Sequence, residues 1–203
     1  MNKDKFWKLI DEVRCECGDD ILNMASVLEK RLEEYSANNV QKFCSIYDTY
    51  RQALNKPGIE SIAYLMNHEM LTDDGFTDFK NWLIAQGKEV YMQTLENPEI
   101  LADHNGQTID GWYEFELFGY VGMSVIEKKT GDYRKASKRL SDSEEEKLMS
   151  EIKYGDYINK DMSIEEMKEL FPRFSERFMR ENEEYDLKGK LAKMDWDIGD
   201  MKL

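Results

Sequence analysis

The sequence predicts an all-α protein, a single-domain helical bundle with a long central amphipathic helix and a helical C-terminal extension. Three observations lead there. Apolar residues recur at intervals of three and four through most of the first 131 residues, and only three prolines interrupt a chain of 203. The third is the stretch from Asp73, where Asp-Asp-Gly reads as a start signal ahead of about five turns of helix. Phe76, Phe79, Leu83, Ile84, Gly87, Val90, Tyr91 and Leu95 then share one face at ~100° per residue. Asp73 and Asp74 are expected to cap the first turn, and Pro98 stands where a new short helix would begin. Gly87, without a side chain, is expected to let another helix approach this face. Lys80 projects into the middle of the stripe. Trp82 falls on its flank with Gln86, Glu89 and Gln93, and packing against a further helix is the favoured reading over a contact surface.

The elements before it follow the same logic. Phe6, Trp7, Leu9, Ile10, Val13 and Cys17 form the inner face of a first helix that Gly18 and Asp19 end. Ile21, Leu22, Met24, Ala25, Leu28, Leu32 and Tyr35 form a second, from Asp20 to about Tyr35. Ser36 to Asn39 is a short polar connection. A third helix turns Val40, Phe43, Cys44, Tyr47, Tyr50 and Leu54 inward and closes at Pro57-Gly58. Arg51 lies within that inward face and Asp48 on its margin. Ile59 to Met70 is a fourth helix, leading into the central one.

Beyond Asp103, the run HNGQTIDG reads as a loop. Trp112 to Ile126 is apolar on nearly every side, as in a helix buried among others. A buried strand pair split at Gly119 or Gly122 is the alternative its β-branched and aromatic content leaves open. Thr130-Gly131 ends this element and the core domain, residues 1–131. Residues 132–203 are expected to form the extension. Ser141 precedes a run of acids suited to a helix start, Ser163 with Glu166 fits a capping box that opens a further helix, and Pro172 interrupts or redirects that helix. Phe171, Phe174 and Phe178 anchor this part on the core. From Asn182 the chain turns polar, with Leu187, Leu191, Met194 and Trp196 as its sizeable anchors, and reads as a weak or fraying last helix.

The run DDGFTDFKNWLIAQGKEVY, with NPEILAD after it and KFWKLIDEVR near the N-terminus, resembles a bacterial family of helical domains catalogued as domain-of-unknown-function family 4240. The resemblance extends from about Asp4 to Gly131. It implies a helical fold and a bacterial source, and it carries no activity and no catalytic residues with it.

Composition narrows the function classes. The formal charge is -14, with 41% hydrophobic and 34% charged residues, which predicts a soluble, acidic, helix-rich protein. No apolar run approaches the roughly 20 residues of a membrane span, and the N-terminus lacks a signal peptide's apolar centre, so a cytoplasmic location is expected. Cys15, Cys17 and Cys44 are odd in number and are read as reduced thiols, Cys17 and Cys44 in the core. A metal site is not expected, because only His68, His104 and carboxylates could complete a zinc shell. His68 falls off the apolar face of its helix and is read as a surface residue. Asp73-Asp74-Gly75 lacks the alternating ligands of a calcium loop. No phosphate-cradling loop, nucleophile elbow or dinucleotide fingerprint is present, and no cofactor is expected.

Charge is unevenly spread. Between Lys128 and Arg139 six bases face one acid, Asp132, a local +5 that leaves -19 for the other residues. Such a molecule repels nucleic acid and anionic membrane and favours a basic protein as partner. Arg134, Lys135, Lys138 and Arg139 are candidates for anion binding, with a solvated loop as the plainer reading. A second constellation places charge at inward positions: Asp48, Arg51, Lys80 and Glu116. It predicts either a structural ion-pair network or a polar pocket, with Glu116 an acid or base of raised pKa and Lys80 or Arg51 holding an anion. The leading expectation is a non-enzymatic interaction module with an acidic surface, a toxin-neutralising partner being one version. The alternatives are a small-molecule-binding protein or hydrolase using the cluster around Glu116, Lys80 and Arg51, and a structural adaptor whose C-terminal helices bind a partner.

Overall fold

Helix starts fall where a side chain can take up free amide groups. Asn2 accepts from the Lys5 N–H, Asp20 from Asn23 and Thr72 from Gly75, and Ser163 and Glu166 satisfy each other's amides in a capping box. The computed structural model describes residues 1–18 and 20–200, the backbone alone for 190–200. Its helices are α1 (Lys3–Cys17), α2 (Ile21–Glu33), α3 (Ala37–Ala53), α4 (Pro57–Met66), α5 (Asp73–Ala85), α6 (Lys88–Glu96), α7 (Glu116–Thr130), α8 (Asp142–Met149), α9 (Ile164–Leu170) and α10 (Pro172–Asp200). Short 3-10 turns lie at Pro98–Ala102 and Tyr133–Ala136. The fold is all-α. The one β-type pairing among the described residues is an isolated bridge between Ile109 and Trp112, and no helix there is long and apolar enough to cross a membrane.

Five boundaries differ from expectation for a physical reason visible in the structure. Thr72, not Asp73 or Asp74, caps α5, and the two acids stand in its first turn, where the helix dipole favours negative charge. The long helix is broken at Gly87, whose φ of 91° is left-handed, and a Cβ there would collide with the Asp11 carboxylate. That carboxylate accepts the Lys88 N–H at 3.2 Å and so starts α6. Pro57 opens α4 at its first turn, and α4 stops at Met66, where His68 and Glu69 take left-handed φ of 57° and 58°. The apolar run from Trp112 is helical only from Glu116. Ahead of it the Tyr113 N–H is donated to Asn67 Oδ1 at 2.8 Å and the Phe115 N–H to the Asp78 carbonyl at 3.0 Å. Amides committed to distant partners are not free for a helix.

The helix that organises the packing is α7, which lies against α2, α3, α5 and the turn at Tyr133–Ala136. Two glycines make this possible. A Cβ on Gly119 would stand 2.6 Å from Asn81 Nδ2, and one on Gly122 would stand 2.6 Å from Cys44 Sγ. α5 is buried from Phe79 to Ala85. Trp82 is fully covered, stacks on Phe79, meets Tyr113 edge-on and donates Nε1–H to the Gln107 carbonyl at 2.7 Å. The flank on which the helical wheel places it is therefore closed by the loop after α6.

Residues beyond 131 share the same core. Ala136, Leu148, Ile152, Tyr157, Ile158, Met162, Met167, Phe171, Phe174 and Phe178 join one hydrophobic cluster with Phe6 and Leu28. Backbone bonds run from Gly58 N–H to the Ile158 carbonyl and from Gly155 N–H to the Leu95 carbonyl. Glu151 accepts from Lys3 at 3.0 Å and Lys88 at 3.1 Å, and its other oxygen accepts the Tyr50 hydroxyl at 2.5 Å. His68, which is no free surface residue, is one of the groups that hold α10. Its ring stacks on Tyr185 at 3.8 Å and lies 3.1 Å from both Asn182 Oδ1 and the Gly111 carbonyl. Leu187 is exposed, whereas Leu191, Met194 and Trp196 have side chains outside the described residues, as does Asp19.

Candidate functional site

The four charged residues read as one inward cluster do not all meet. Asp48 and Arg51, one turn apart on α3, form a half-exposed ion pair at 3.0 Å. Lys80 is buried on α5, donates to Asn55 Oδ1 at 2.7 Å and lies 4.5 Å over the Phe76 ring. Burial lowers its pKa, and the nearby Arg51 cation lowers it further. Glu116 is exposed in the first turn of α7. The helical wheel places it inward only if the helix is extended back to Trp112. With α7 beginning at Glu116, the dipole and solvent accommodate the charge.

Asp78 on α5, which sequence reasoning missed, is a carboxylate with a raised pKa. Burial pushes it up to about 6, helped by the negative charges of Glu116, Glu114 and Asp74. Glu114 is raised as well, by burial. Asp74, Glu114 and Glu116 act on Asp78 through their charge at the junction where the N-terminal turns of α5 and α7 meet, which is set by the bond from Phe115 N–H to the Asp78 carbonyl. Among the described residues no Lys, Arg or His pairs with any of them. Among the described residues the Asp78 carboxylate takes only a long 3.4 Å bond from the Asn81 amide, and Asn81 in turn accepts the buried Tyr47 hydroxyl at 2.6 Å. Beside them, one turn apart on α7, Leu117 is 57% and Tyr120 52% exposed. The spacing of Asp74, Asp78 and Asn81, one turn apart each, is visible in the sequence. The approach of Glu114 and Glu116 is not.

Around the corner a cleft of about 250 Å³ opens between α3, α7 and the 3-10 turn, with Asp48, Arg51, Tyr47 and Phe118 in its lining. Ala136 and Ser137 line it too, so the basic segment runs along its edge. Arg134 in that segment is held by Asp132 at 2.8 Å, and Lys128 bridges Glu29 and Glu33. Lys135, Lys138 and Arg139 are exposed and make no ion pair among the described residues. Cys44 borders the cleft, but burial first and Asp48 second push its thiol up to about 12, far from a nucleophile's range. Cys15 is exposed and Cys17 half-buried. Among the described residues no three His, Cys, Asp or Glu side chains stand together as a metal would require. His104 is half-buried and held near a pKa of about 4 by burial and then by Arg14 and Arg177; its Nε2 meets Gln86 Oε1 at 3.0 Å.

The family model described as Protein of unknown function (DUF4240) matches residues 1–128, from the segment before α1 into the last turn of α7. The chain belongs to this family. No curated protein and no solved structure matches it. The DUF4240 region thus contains Asp74, Asp78, Glu114, Glu116, Asp48, Arg51 and Lys80, while Lys135, Lys138 and Arg139 lie beyond it. Both the acidic junction and the cleft are anchored in the family's own helices, and the basic edge of the cleft comes from the segment after them.

Proposed function

We propose that the protein is a non-enzymatic interaction module that presents the acidic junction of α5 and α7 to a basic protein. One observation carries the reading: the pKa of the half-buried Asp78 is pushed up to about 6 by its burial and by the charges of Glu116, Glu114 and Asp74, and among the described residues none of the four forms an ion pair. An arrangement that opposes folding is retained most readily where a binding partner relieves it. Exposed Leu117 and Tyr120 beside it supply the apolar contact that gives a charged interface its residence time. The partner fitting this surface has Lys or Arg side chains flanking an apolar residue.

The test is affinity capture from a lysate of the source organism at low and moderate salt. Wild-type chain should retain a basic protein that salt releases. Asp74→Lys/Glu116→Lys should lose it, whereas Glu183→Lys, on the exposed side of α10, should not. Retention of the same protein by the double variant refutes the assignment of the surface.

A further inference from the structure

The cleft between α3 and α7 is a different feature, and its chemistry has the opposite sign. Its volume of about 250 Å³ lies just below the roughly 300–1,000 Å³ usual for small-ligand sites, so only a small body fits. Phe43, Phe118, Tyr120 and Met123 give part of its walls an apolar and aromatic face, and Gly122 leaves part of the α7 wall without side chains. Arg51 stands in it with a single side-chain hydrogen bond among the described residues, to Asp48, so most of its five N–H donors are open to a planar oxyanion. The half-exposed pair with Asp48 contributes little and exchanges readily.

A further observation adds positive charge at its rim in a molecule of net charge -14. The turn along the other edge is fixed to α3: the Gln41 amide donates to the Lys135 carbonyl, and the buried Ser45 hydroxyl donates to that of Lys138. Lys135, Lys138 and Arg139, exposed and unpaired among the described residues, are thereby held beside Ala136 and Ser137. The basic segment and the Asp48–Arg51 pair, separate in the sequence, border one cavity.

We propose that this cleft binds a small organic anion, a flat apolar body carrying one carboxylate or phosphate, with Arg51 taking the oxyanion and the aromatic side chains of α3 and α7 taking the body. Asp48 acts against the ligand by competing for Arg51, which keeps affinity moderate.

The experiment titrates the full chain with 2-naphthoate, 2-naphthyl phosphate and the neutral 2-naphthamide, following ligand resonances by NMR. At least one anion should bind about tenfold tighter than the amide, as a charge-assisted bond to Arg51 requires; whichever binds tighter identifies the head group. Arg51→Met, which keeps the apolar stem, should abolish that preference. Asp48→Asn should tighten the anion several-fold and leave the amide unchanged, a response that a merely structural pair would not give. Equal binding of amide and anions, no binding of any probe at millimolar concentration, or a preference that survives Arg51→Met overturns the proposal. Circular dichroism of each variant separates loss of binding from loss of fold.

Discussion

Asp78→Asn should make the protein more stable at neutral pH, which is unusual for a substitution in a half-buried position. The folded-state pKa of about 6 lies above the ordinary aspartate value of 3.8, so the ionised carboxylate opposes folding at pH 7. A gap of about two pH units at about 1.4 kcal/mol each sets a ceiling near 3 kcal/mol, and solvent screening of a half-exposed group reduces this to about 1 kcal/mol. For a chain of this size that is a rise in Tm of roughly 2–4 °C. The sign fixes the pH window. With the folded pKa raised, the cost is complete above about pH 6 and fades toward pH 4, where the unfolded chain also takes up its proton. Asparagine keeps the size of the side chain and an oxygen to accept from Asn81, so packing is unchanged. Urea unfolding of both proteins at pH 7.5, 6.5, 5.5 and 4.5, followed by far-ultraviolet circular dichroism, should show an advantage that shrinks as pH falls. A variant less stable than wild type at pH 7.5, or an advantage independent of pH, would refute the electrostatic account. The same substitution should weaken binding of a basic partner, since the repulsion that destabilises the free protein is what the partner relieves.

Three other perturbations address the frame that carries these sites. Gly87→Ala should destabilise by about 2 kcal/mol or more, because alanine is strained at φ 91° and its Cβ meets Asp11; a Tm within one or two degrees of wild type would mean the α5–α6 break adapts. Glu151→Gln removes the charge on which Lys3, Lys88 and Tyr50 converge and should cost roughly 1–3 kcal/mol. Hydrogen exchange should then rise first in residues 142–158, and unchanged protection there would show that apolar packing alone holds the segment. His68→Ala should speed exchange across 172–189 while leaving α1 and α2 protected, since it removes the Tyr185 stack and the Asn182 contact. Uniform loss of protection would place His68 in the global fold rather than in the docking of α10.

Local chemistry determined much of this protein by itself. Helix α1 and its end, the start of α2 at Asp20, the capping box at Ser163 and the break at Pro172 all depend on neighbours within one turn. They could be read from residues in order. Apolar spacing likewise marked Phe6, Leu28, Tyr50, Phe79, Phe174 and Phe178 as core, because a helix presents one face whatever it packs against. Family membership was legible in the ordered motifs around Asp73–Asp103 for the same reason.

Tertiary structure alone decided the rest. Gly87 fits a continuous amphipathic helix and a break equally well, and the Asp11 carboxylate, from 76 residues earlier, selected the break. Asn67 and the Asp78 carbonyl claimed the amides of Tyr113 and Phe115 and moved the start of α7 to Glu116, which turned a predicted buried acid into an exposed one. Asp78 became a perturbed carboxylate because tertiary packing buries it and, secondly, because the start of α7 brings the charges of Glu116 and Glu114 toward it. The cleft beside Arg51 exists because Gln41 and Ser45 hold a turn from the far side of α7. Each outcome depends on which distant backbone groups and charges share a few ångströms, and the helical period, which repeats every few residues, carries no information about that.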